Sequence, residues 1–422
     1  MVRLKPDTTG AVIECGGVTK YGRSPWIDRF PKSRVPSHPK YRGSQKIDAV
    51  IIGGGLTGCA TAYAFAAAGV KAVLLEAAQI GRGNSGSSAG WISEDPGTRF
   101  IDLEKALGPR RARHAWQSWR RGALDFAALL RRLGVKTDFA DQPAVTVATR
   151  PDQAARLTRE QQARRNAGLD APLLKAAALR SELGVDGVAG VRAKDGAIVD
   201  PYRACLALAA AAAERGAALF ERTAVKKITF NRKTADVITE GGMLRTGRVI
   251  VATGMPTPLF KSLARHFWFR TTYLAETDQV PAKIRNILGK RKTVVRDSAE
   301  PPHAIRWVGG DRLLVNGADA DVPPPRLRDK AIVQRTGQLM YELSTLYPDI
   351  SGIQPAYGWA ADYARSADGL PCIGAHRNFP HHLFAFGDSS HTITGAYLAS
   401  RIMLRQHFEE MDPADEVFGF HR

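Results

Sequence analysis

Cysteine is scarce in this chain, and long apolar runs are missing from it. The four cysteines, Cys15, Cys59, Cys205 and Cys372, lie far apart among 422 residues and form no C-x-x-C pair. This spacing argues against a zinc site and a disulfide framework, and it fits a reducing compartment. The most alanine-rich stretch, 204–213, has about half the length of a membrane span. These absences predict a cytoplasmic protein with no integral membrane segment, no export signal and no metal site.

Acidic residues are also in the minority. The chain has 41 Asp and Glu against 60 Lys and Arg, which gives a formal net charge of +19. The basic residues are spread through every segment and are densest at RRARHAWQSWRR, 110–121, where apolar residues recur at helical spacing. A nucleic-acid-binding protein concentrates its arginines on one stripe. The pattern therefore indicates a solvated helix face and a field that attracts anionic ligands, with no nucleic-acid partner.

The stretch IDAVIIGGGLTGCATAYAFAAAGVKAVLLE, residues 47–76, carries the clearest local signal. A short apolar run of β-formers at 47–52 predicts a buried strand. The segment 57–68 is apolar on every side and predicts a buried helix, and a second strand is predicted at 70–75. The order strand, turn, helix, strand is that of a βαβ unit in a parallel sheet.

The three glycines of this turn each have a physical reason. Gly53 permits the tight turn out of the strand, Gly55 lets a pyrophosphate approach the backbone, and Gly58 lets the helix pack against the strand. The helix N-terminus directs its free N–H groups and positive dipole end at phosphates. Glu76 ends the second strand, where a carboxylate accepts hydrogen bonds from ribose hydroxyls. The unit therefore predicts a dinucleotide site.

The first 46 residues differ from the rest. They lack apolar periodicity and alternate prolines with Arg and Lys, as in SPWIDRFPKSRVPSHPKYRG. This composition predicts a basic, proline-rich extension that lies as a strap on the surface, with Trp26 and Phe30 as its anchors.

A chain of this length is too long for one compact core and predicts two domains. Strand signals at 267–276, 303–308 and 312–317 suit an antiparallel sheet, and helix start and stop signals predict further helices. These helices are at 109–133, 151–167, 200–216 and 330–348. We predict an α/β fold in which a Rossmann-like domain is interleaved with an antiparallel-sheet α+β substrate domain. The boundaries are 1–46 for the extension, 47–95, 200–260 and 355–422 for the nucleotide-binding domain, and 96–199 and 261–354 for the substrate domain.

The C-terminal stretch WAADYARSADGLPCIGAHRNFPHHLFAFGDSSHTITGAYLASRIMLR, 359–405, adds a family resemblance. Together with the βαβ unit, the loop GRGNSGSSAGWIS at 81–93 and the ATG at 252–254, it resembles the FAD-dependent D-amino-acid oxidase and glycine oxidase superfamily. The resemblance covers the chain after residue 46. It implies an FAD-binding domain interleaved with a substrate domain.

The resemblance also implies where FAD lies. The glycines of the turn and Glu76 hold the ADP half, Val225 presents its backbone to the adenine, and Gly254 lies near the pyrophosphate. A helix that begins near Thr392 directs its N-terminus at the O2 edge of the flavin, where the reduced ring is anionic. The residues predicted at the cofactor are Gly53, Gly55, Leu56, Thr57, Gly58, Glu76, Ala77, Arg82, Ser85, Ser87, Ser88, Ala89, Gly90, Trp91, Val225, Ala252, Thr253, Gly254, Gly387, Asp388, Ser390, His391, Thr392, Ile393 and Thr394.

Three departures from the family pattern bear on function. Relatives that bind amino acids carry an arginine for the substrate carboxylate where this chain has Tyr363, but Arg365 follows two residues on and shares that face of a strand. Sarcosine-oxidase-like relatives attach FAD through a cysteine where this chain has Ala361, so we expect non-covalent FAD. The loop GDSSHT, 387–392, carries side chains where the family has glycines.

The resemblance implies an amine or amino-acid oxidase or dehydrogenase that transfers hydride from a C–N carbon to flavin N5. Its implied substrate is a small amine or amino acid. The sequence does not decide whether the electron acceptor is oxygen, a quinone or another protein. The predicted catalytic residues are His391 as proton acceptor, with Tyr273, Arg306, Tyr363 and Arg365 around the substrate. Two alternatives stay open: a flavin-dependent monooxygenase, because GDSSH is similar to the G-D-A-A-H loop of flavin hydroxylases, and a flavin-binding protein without turnover.

Overall fold

The structure is a computed structural model that describes residues 18–135, 138–387 and 392–422. The predictions for Asp388, Ser390 and His391 therefore lie outside the described residues. Among the described residues, no helix is both long enough and apolar enough to cross a bilayer.

The strands are numbered in chain order. They are β1 (Lys20–Tyr21), β2 (Gly43–Ile52), β3 (Ala72–Leu75), β4 (Trp91–Ile92), β5 (Ala140–Asp141), β6 (Ala144–Ala148), β7 (Leu173–Lys175), β8 (Ala189–Ala193), β9 (Ala197–Ile198), β10 (Ala218–Phe220), β11 (Val225–Phe230), β12 (Ala235–Thr239), β13 (Gly242–Gly254), β14 (Trp268–Thr277), β15 (Val294–Asp297), β16 (Ala304–Val308), β17 (Arg312–Asp321), β18 (Pro355–Arg365), β19 (Cys372–His376) and β20 (Phe379–Phe386).

The α-helices are α1 (Pro25–Asp28), α2 (Leu56–Ala67), α3 (Phe100–Leu107), α4 (Pro109–Arg132), α5 (Pro151–Asn166), α6 (Ala176–Leu183), α7 (Pro201–Glu214), α8 (Ala282–Arg285), α9 (Arg328–Leu346) and α10 (Thr394–His407). Short 3₁₀ turns lie at Lys32–Arg34, Asn84–Ser87, Pro258–His266, Pro325–Leu327, Pro348–Ile350 and Pro413–Phe418. The helices predicted from start and stop signals thus form within a few residues of their predicted ends. Asp200 caps α7 through hydrogen bonds from the backbone N–H groups of Tyr202 and Arg203.

The smaller of the two large sheets has eight strands. Strands β10, β3, β2 and β13 pair in parallel, and β20 continues the parallel set beyond β13. The central residues Val50 and Ile51 of β2 are completely buried, because each face of the parallel strands is covered by its own apolar core. Helices α2, α7 and α10 pack together on one face, with α4 outside α10. This is the predicted Rossmann-like unit.

The larger sheet has nine strands in the order β1-β18-β14-β17-β16-β15-β6-β8-β7. Its pairs are antiparallel except for β1 with β18 and β15 with β6. Helix α9 packs on β14, β17 and β18 and buries Ile332, Leu339 and Leu343 beneath it. A small sheet of β4, β9 and β5 lies where the chain crosses between the two large sheets. The predicted α/β class with an additional, largely antiparallel sheet is confirmed.

Two boundary predictions need correction. The segment 355–365, predicted with the nucleotide-binding domain, forms β18 of the nine-stranded sheet, because its backbone pairs with β14 from Trp268 to Thr277. Strand β2 begins at Gly43, inside the predicted extension, because β13 extends far enough for Gly242 to pair with Gly43.

The described part of the extension is anchored to the rest of the chain. Strand β1 pairs in parallel with β18 at the edge of the nine-stranded sheet. Trp26 is buried, and the ring of Phe30 meets the edge of Tyr202 at a centroid distance of 5.2 Å. Both predicted anchors therefore make contacts, although α1 and a 3₁₀ turn replace a fully extended strap.

Candidate active site

The turn between β2 and α2 is too crowded for side chains. Gly53 has a φ of +108°, and a Cβ there would lie 2.7 Å from the carbonyl oxygen of Ala252. A Cβ on Gly58 would lie 1.8 Å from the carbonyl oxygen of Gly53. The glycines therefore let the first turn of α2 sit against the ends of β2 and β13, which brings the helix N-terminus to the sheet edge where phosphates bind.

Glu76 is oriented by the same turn. Its Oε2 accepts a hydrogen bond from the N–H of Gly54 at 2.7 Å, and its Oε1 accepts one from the N–H of Ala78 at 2.7 Å. Each carboxylate oxygen has room for a second hydrogen bond, so the side chain keeps acceptor capacity for a ligand in the adjoining space. The carboxylate is thus fixed in place at the position predicted for ribose hydroxyls.

A cavity of about 540 Å³ begins at this turn. It extends from Glu76 and Val225 past the start of α2 to Ile393 before α10 and to Tyr363 on β18. Of the residues predicted at the cofactor, the following line it: Gly53, Gly55, Leu56, Thr57, Glu76, Ala77, Ser85, Ser88, Val225, Ala252, Thr253, Gly254, Thr392 and Ile393.

The other described residues of that prediction do not line this cavity. Arg82 is exposed, and Thr394 turns its hydroxyl to the backbone of Ser93 at 2.8 Å. Gly58 serves the packing of α2, as its short approach to Gly53 requires. The remaining predicted residues are also absent from the wall of this cavity: Ser87, Ala89, Gly90, Trp91 and Gly387.

The wall of the first cavity contains buried hydroxyl groups that can form hydrogen bonds with a polar ligand. The hydroxyl oxygens of Thr257 and Thr392 are buried and have no hydrogen-bond partner among the residues that the structure describes. Both residues line the 540 Å³ cavity. Helix α10 starts two residues after Thr392 and adds the positive end of its dipole. The wall therefore combines the N-termini of α2 and α10 with unfilled hydrogen-bonding capacity, which suits a long dinucleotide.

A second cavity, of about 660 Å³, meets the first at Tyr363, which lines both. Its wall carries the aromatic side chains Trp268 and Phe269 and charged groups of both signs, including Arg296 and Arg365. The structure thus places the predicted pair Tyr363 and Arg365 on the wall of one cavity, as alternate residues of β18.

The hydroxyl of Tyr363 donates a hydrogen bond to Oδ2 of Asp319 at 2.6 Å. Asp319 also belongs to the second cavity. Arg296 donates to the carbonyl oxygen of Gly97 at 2.9 Å and lies 3.5 Å from Asp95, so its guanidinium is held in position. Tyr363 at the junction and Arg296 in the second cavity are therefore both held in position by contacts within the protein.

Tyr273 and Arg306 line neither of these cavities, contrary to the prediction. Tyr273 is 2% exposed and packs in the core beneath α9, because its position on β14 turns it to the helix side. Arg306 is 2% exposed, and its Nε donates to the carbonyl oxygen of Ala89 at 2.6 Å. Burial lowers the pKa of Arg306 to about 10, which leaves it charged at neutral pH.

Sequence reasoning missed part of the wall. Asn84 lies within the glycine-rich loop 81–93, between the predicted residues Arg82 and Ser85, so its position in that loop could have identified it. Asp362 lies between Ala361 and Tyr363 in the stretch that carried the resemblance, whereas Thr257 and Thr272 belong to segments without a motif. Only the pairing of β14 with β18 brings Thr272 and Asp362 to the site.

Comparisons with known proteins agree with this geometry. Residues 48–406 match the DAO family, described as FAD dependent oxidoreductase. The chain is 25% identical over 372 residues to gamma-glutamylputrescine oxidoreductase of Escherichia coli (strain K12), covering 86% of this chain and 85% of that protein.

Solved structures share the fold. Glycine oxidase from Geobacillus kaustophilus superposes with a TM-score of 0.73 at 22% identity, covering 89% of this chain and 99% of that one. L-Amino acid deaminase from Proteus myxofaciens, in complex with anthranilate, gives a TM-score of 0.73 at 16% identity, covering 92% and 96%. The chain belongs to the DAO family of FAD-dependent oxidoreductases, and its cofactor is FAD.

Proposed function

We propose that this protein oxidises a C–N bond of a small amine or amino acid bound in the second cavity, with FAD held non-covalently in the first. The observation that carries the proposal is that Tyr363 lines both cavities, so a ligand in the second lies beside the end of the first. When bound, FAD supplies an acceptor for the hydride.

The cofactor is held by the residues of the first cavity. Glu76 and Val225 are assigned to the adenosine end, the start of α2 to the pyrophosphate, and Ile393 with the N-terminus of α10 to the flavin end. Ala361 lies on the wall, and no cysteine is among the described lining residues. This supports binding without a covalent link.

The second cavity suits a charged small molecule. Arg296 and Arg365 offer cations for a carboxylate, and Asp319 offers an anion for an ammonium group. The relatives named above carry names that refer to glycine, an amino acid and a putrescine derivative, which are substrates of this chemistry. Tyr363, held by Asp319, orients the substrate, and the rings of Trp268 and Phe269 offer apolar contact surface for its carbon atoms.

His391, outside the described residues, stays the predicted acceptor of the amine proton. If it acts there, His391→Ala slows reduction of the bound flavin and alters its pH dependence, while FAD content is nearly unchanged. Loss of FAD from the variant would make the residue structural instead.

The test is anaerobic reduction of the yellow holoprotein by a panel of amines and amino acids. We expect some member to bleach the visible absorbance of the flavin, whereas NADPH alone does not. Arg365→Ala should then raise the KM of that substrate at least tenfold, and the exposed Arg377→Ala serves as the matched control. Rapid bleaching by NADPH would overturn the proposal in favour of a monooxygenase, and no bleaching by any member would favour a binding protein.

A further inference from the structure

The N-terminal segment 18–46 precedes the family match, which begins at residue 48. It nevertheless reaches the loop 84–90, whose residues Asn84, Ser85 and Ser88 line the first cavity. Along this loop, four successive backbone carbonyl groups each accept a hydrogen bond from a side chain distant in sequence. The pairs are Ser24 Oγ with Gly86, Trp359 Nε1 with Ser87 at 2.8 Å, Trp26 Nε1 with Ser88 at 3.0 Å, and Arg306 Nε with Ala89 at 2.6 Å.

The donors of this carbonyl row are buried. Ser24 is 2% exposed and Trp26 is 4% exposed, and both come from the N-terminal segment. The guanidinium of Arg306 lies over the ring of Trp26, 5.0 Å from its centroid, so the donors also support one another. Removal of one donor leaves a buried carbonyl without its partner, which destabilises this conformation of the loop.

The opposite side of the loop faces the cofactor site. Ser85 Oγ accepts a hydrogen bond from the N–H of Leu56, the first residue of α2, at 2.8 Å. Ser85 and Ser88 both line the cavity, and Ser88 Oγ donates a hydrogen bond to the carbonyl oxygen of Ser85 at 3.0 Å. The loop is thus fixed on both sides before any ligand binds.

We propose that Ser24 and Trp26 are positioning residues of the FAD site. They hold the loop 84–90 in the conformation that binds FAD, so part of the FAD affinity resides in a segment outside the family match. A loop that must be ordered on binding lowers affinity, because its conformational entropy is lost at that moment. The proposal concerns the cofactor and is independent of which substrate is oxidised.

The test compares full-length variants. Trp26→Phe keeps a ring against Arg306 and removes only the N–H donor, and Ser24→Ala removes only the hydroxyl. In titrations of the apoprotein with FAD, followed by flavin fluorescence, each single variant should raise Kd about threefold and the double variant about tenfold. Thr19→Val is the matched control: it loses the hydrogen bond from Thr19 Oγ1 to the carbonyl of Pro355, 2.7 Å long, in the same segment but away from the loop.

Amide hydrogen exchange of the apoprotein supplies a second measurement. Peptides that cover 84–90 should exchange faster in the double variant than in the Thr19→Val control, while peptides of β2 exchange equally. A Kd within twofold of the unmodified protein, unchanged exchange in the loop, or an equal loss of affinity in the control would each overturn the proposal. Neither measurement involves turnover, so its failure is separate from failure of the proposed amine oxidation.

Discussion

At the scale of single residues, Glu76 has two functions. Its oxygens accept backbone hydrogen bonds within the turn and face the cavity expected to hold the ribose. A hydrogen bond to a charged group contributes roughly 1.5–3 kcal/mol, so Glu76→Ala should weaken FAD binding by about one to two orders of magnitude. Calorimetric titration of the apoprotein checks this, with the exposed Glu214→Ala as control. Unchanged affinity would mean that Glu76 does not contact the ribose.

His303 is a second residue whose surroundings support a prediction. Its Nδ1 lies 2.6 Å from Asp297 and its Nε2 lies 2.7 Å from Glu342 of α9, so the imidazole links α9 to the sheet. Burial by itself would lower the pKa of His303, but the two carboxylates outweigh burial and raise it to about 10. The pKa is thus above the value near 6.5 of an unfolded chain. The resulting stability is complete below about pH 6.5 and is lost as the pH rises through about 10.

His303→Gln should therefore destabilise the protein in a pH-dependent way. We expect the free energy of unfolding to fall by about 3 kcal/mol at pH 6 and by less than half of that at pH 10.5. Denaturant titration at the two pH values measures this, with His421→Gln, an exposed histidine, as control. A loss that is equal at both values would show that the histidine is not charged in the folded protein.

At the scale of elements, replacing two helical glycines with alanine should have opposite effects on stability. A Cβ on Gly58 of α2 would collide with the backbone of Gly53, whereas a Cβ on Gly337 of α9 meets nothing within 4 Å. Gly58→Ala should therefore lower stability and FAD content together, because α2 must move off β2. Gly337→Ala should raise stability by about 0.5–1 kcal/mol through helix propensity. Thermal melting and flavin content distinguish the two, and a neutral Gly58→Ala would contradict the close packing.

At the scale of the whole molecule, the first cavity joins the two large sheets. Its wall includes Ile52 and Ala252 from the smaller sheet and Thr272 and Ala361 from the larger one. FAD should therefore stabilise both sheets together. At a free concentration of 100 times Kd, a ligand adds about 2.7 kcal/mol, which for a chain of this size corresponds to roughly 3 °C. FMN, which lacks the adenine half, should raise the thermal unfolding midpoint much less. If the protein unfolds in two transitions and FAD raises the midpoint of only one, FAD does not stabilise both sheets together.

Much of the fold and of the adenosine end of the site was predictable from the sequence. The βαβ unit, its glycines and Glu76 lie within the 30 residues from 47 to 76, and helices α4, α5, α7 and α9 form where their start and stop signals predicted. Such features depend on contacts between residues a few positions apart or on the hydrogen bonds at one helix end, and periodicity and turn residues report on both. The resemblance at the C-terminus then identified the family that the match of residues 48–406 establishes.

Other features were decided only by the tertiary structure. Arg306, predicted at the substrate, instead donates to the carbonyl of Ala89, 217 positions away, and Trp26 donates to Ser88, 62 positions away. Strand β18 joined the larger sheet because β14 pairs with it, and this pairing brings Tyr363 to the junction of the two cavities. Side-chain type and local spacing do not determine which distant backbone group a buried donor meets, because that depends on how whole elements pack. The sequence therefore determined the elements and the nucleotide turn, and packing decided which residues surround the site.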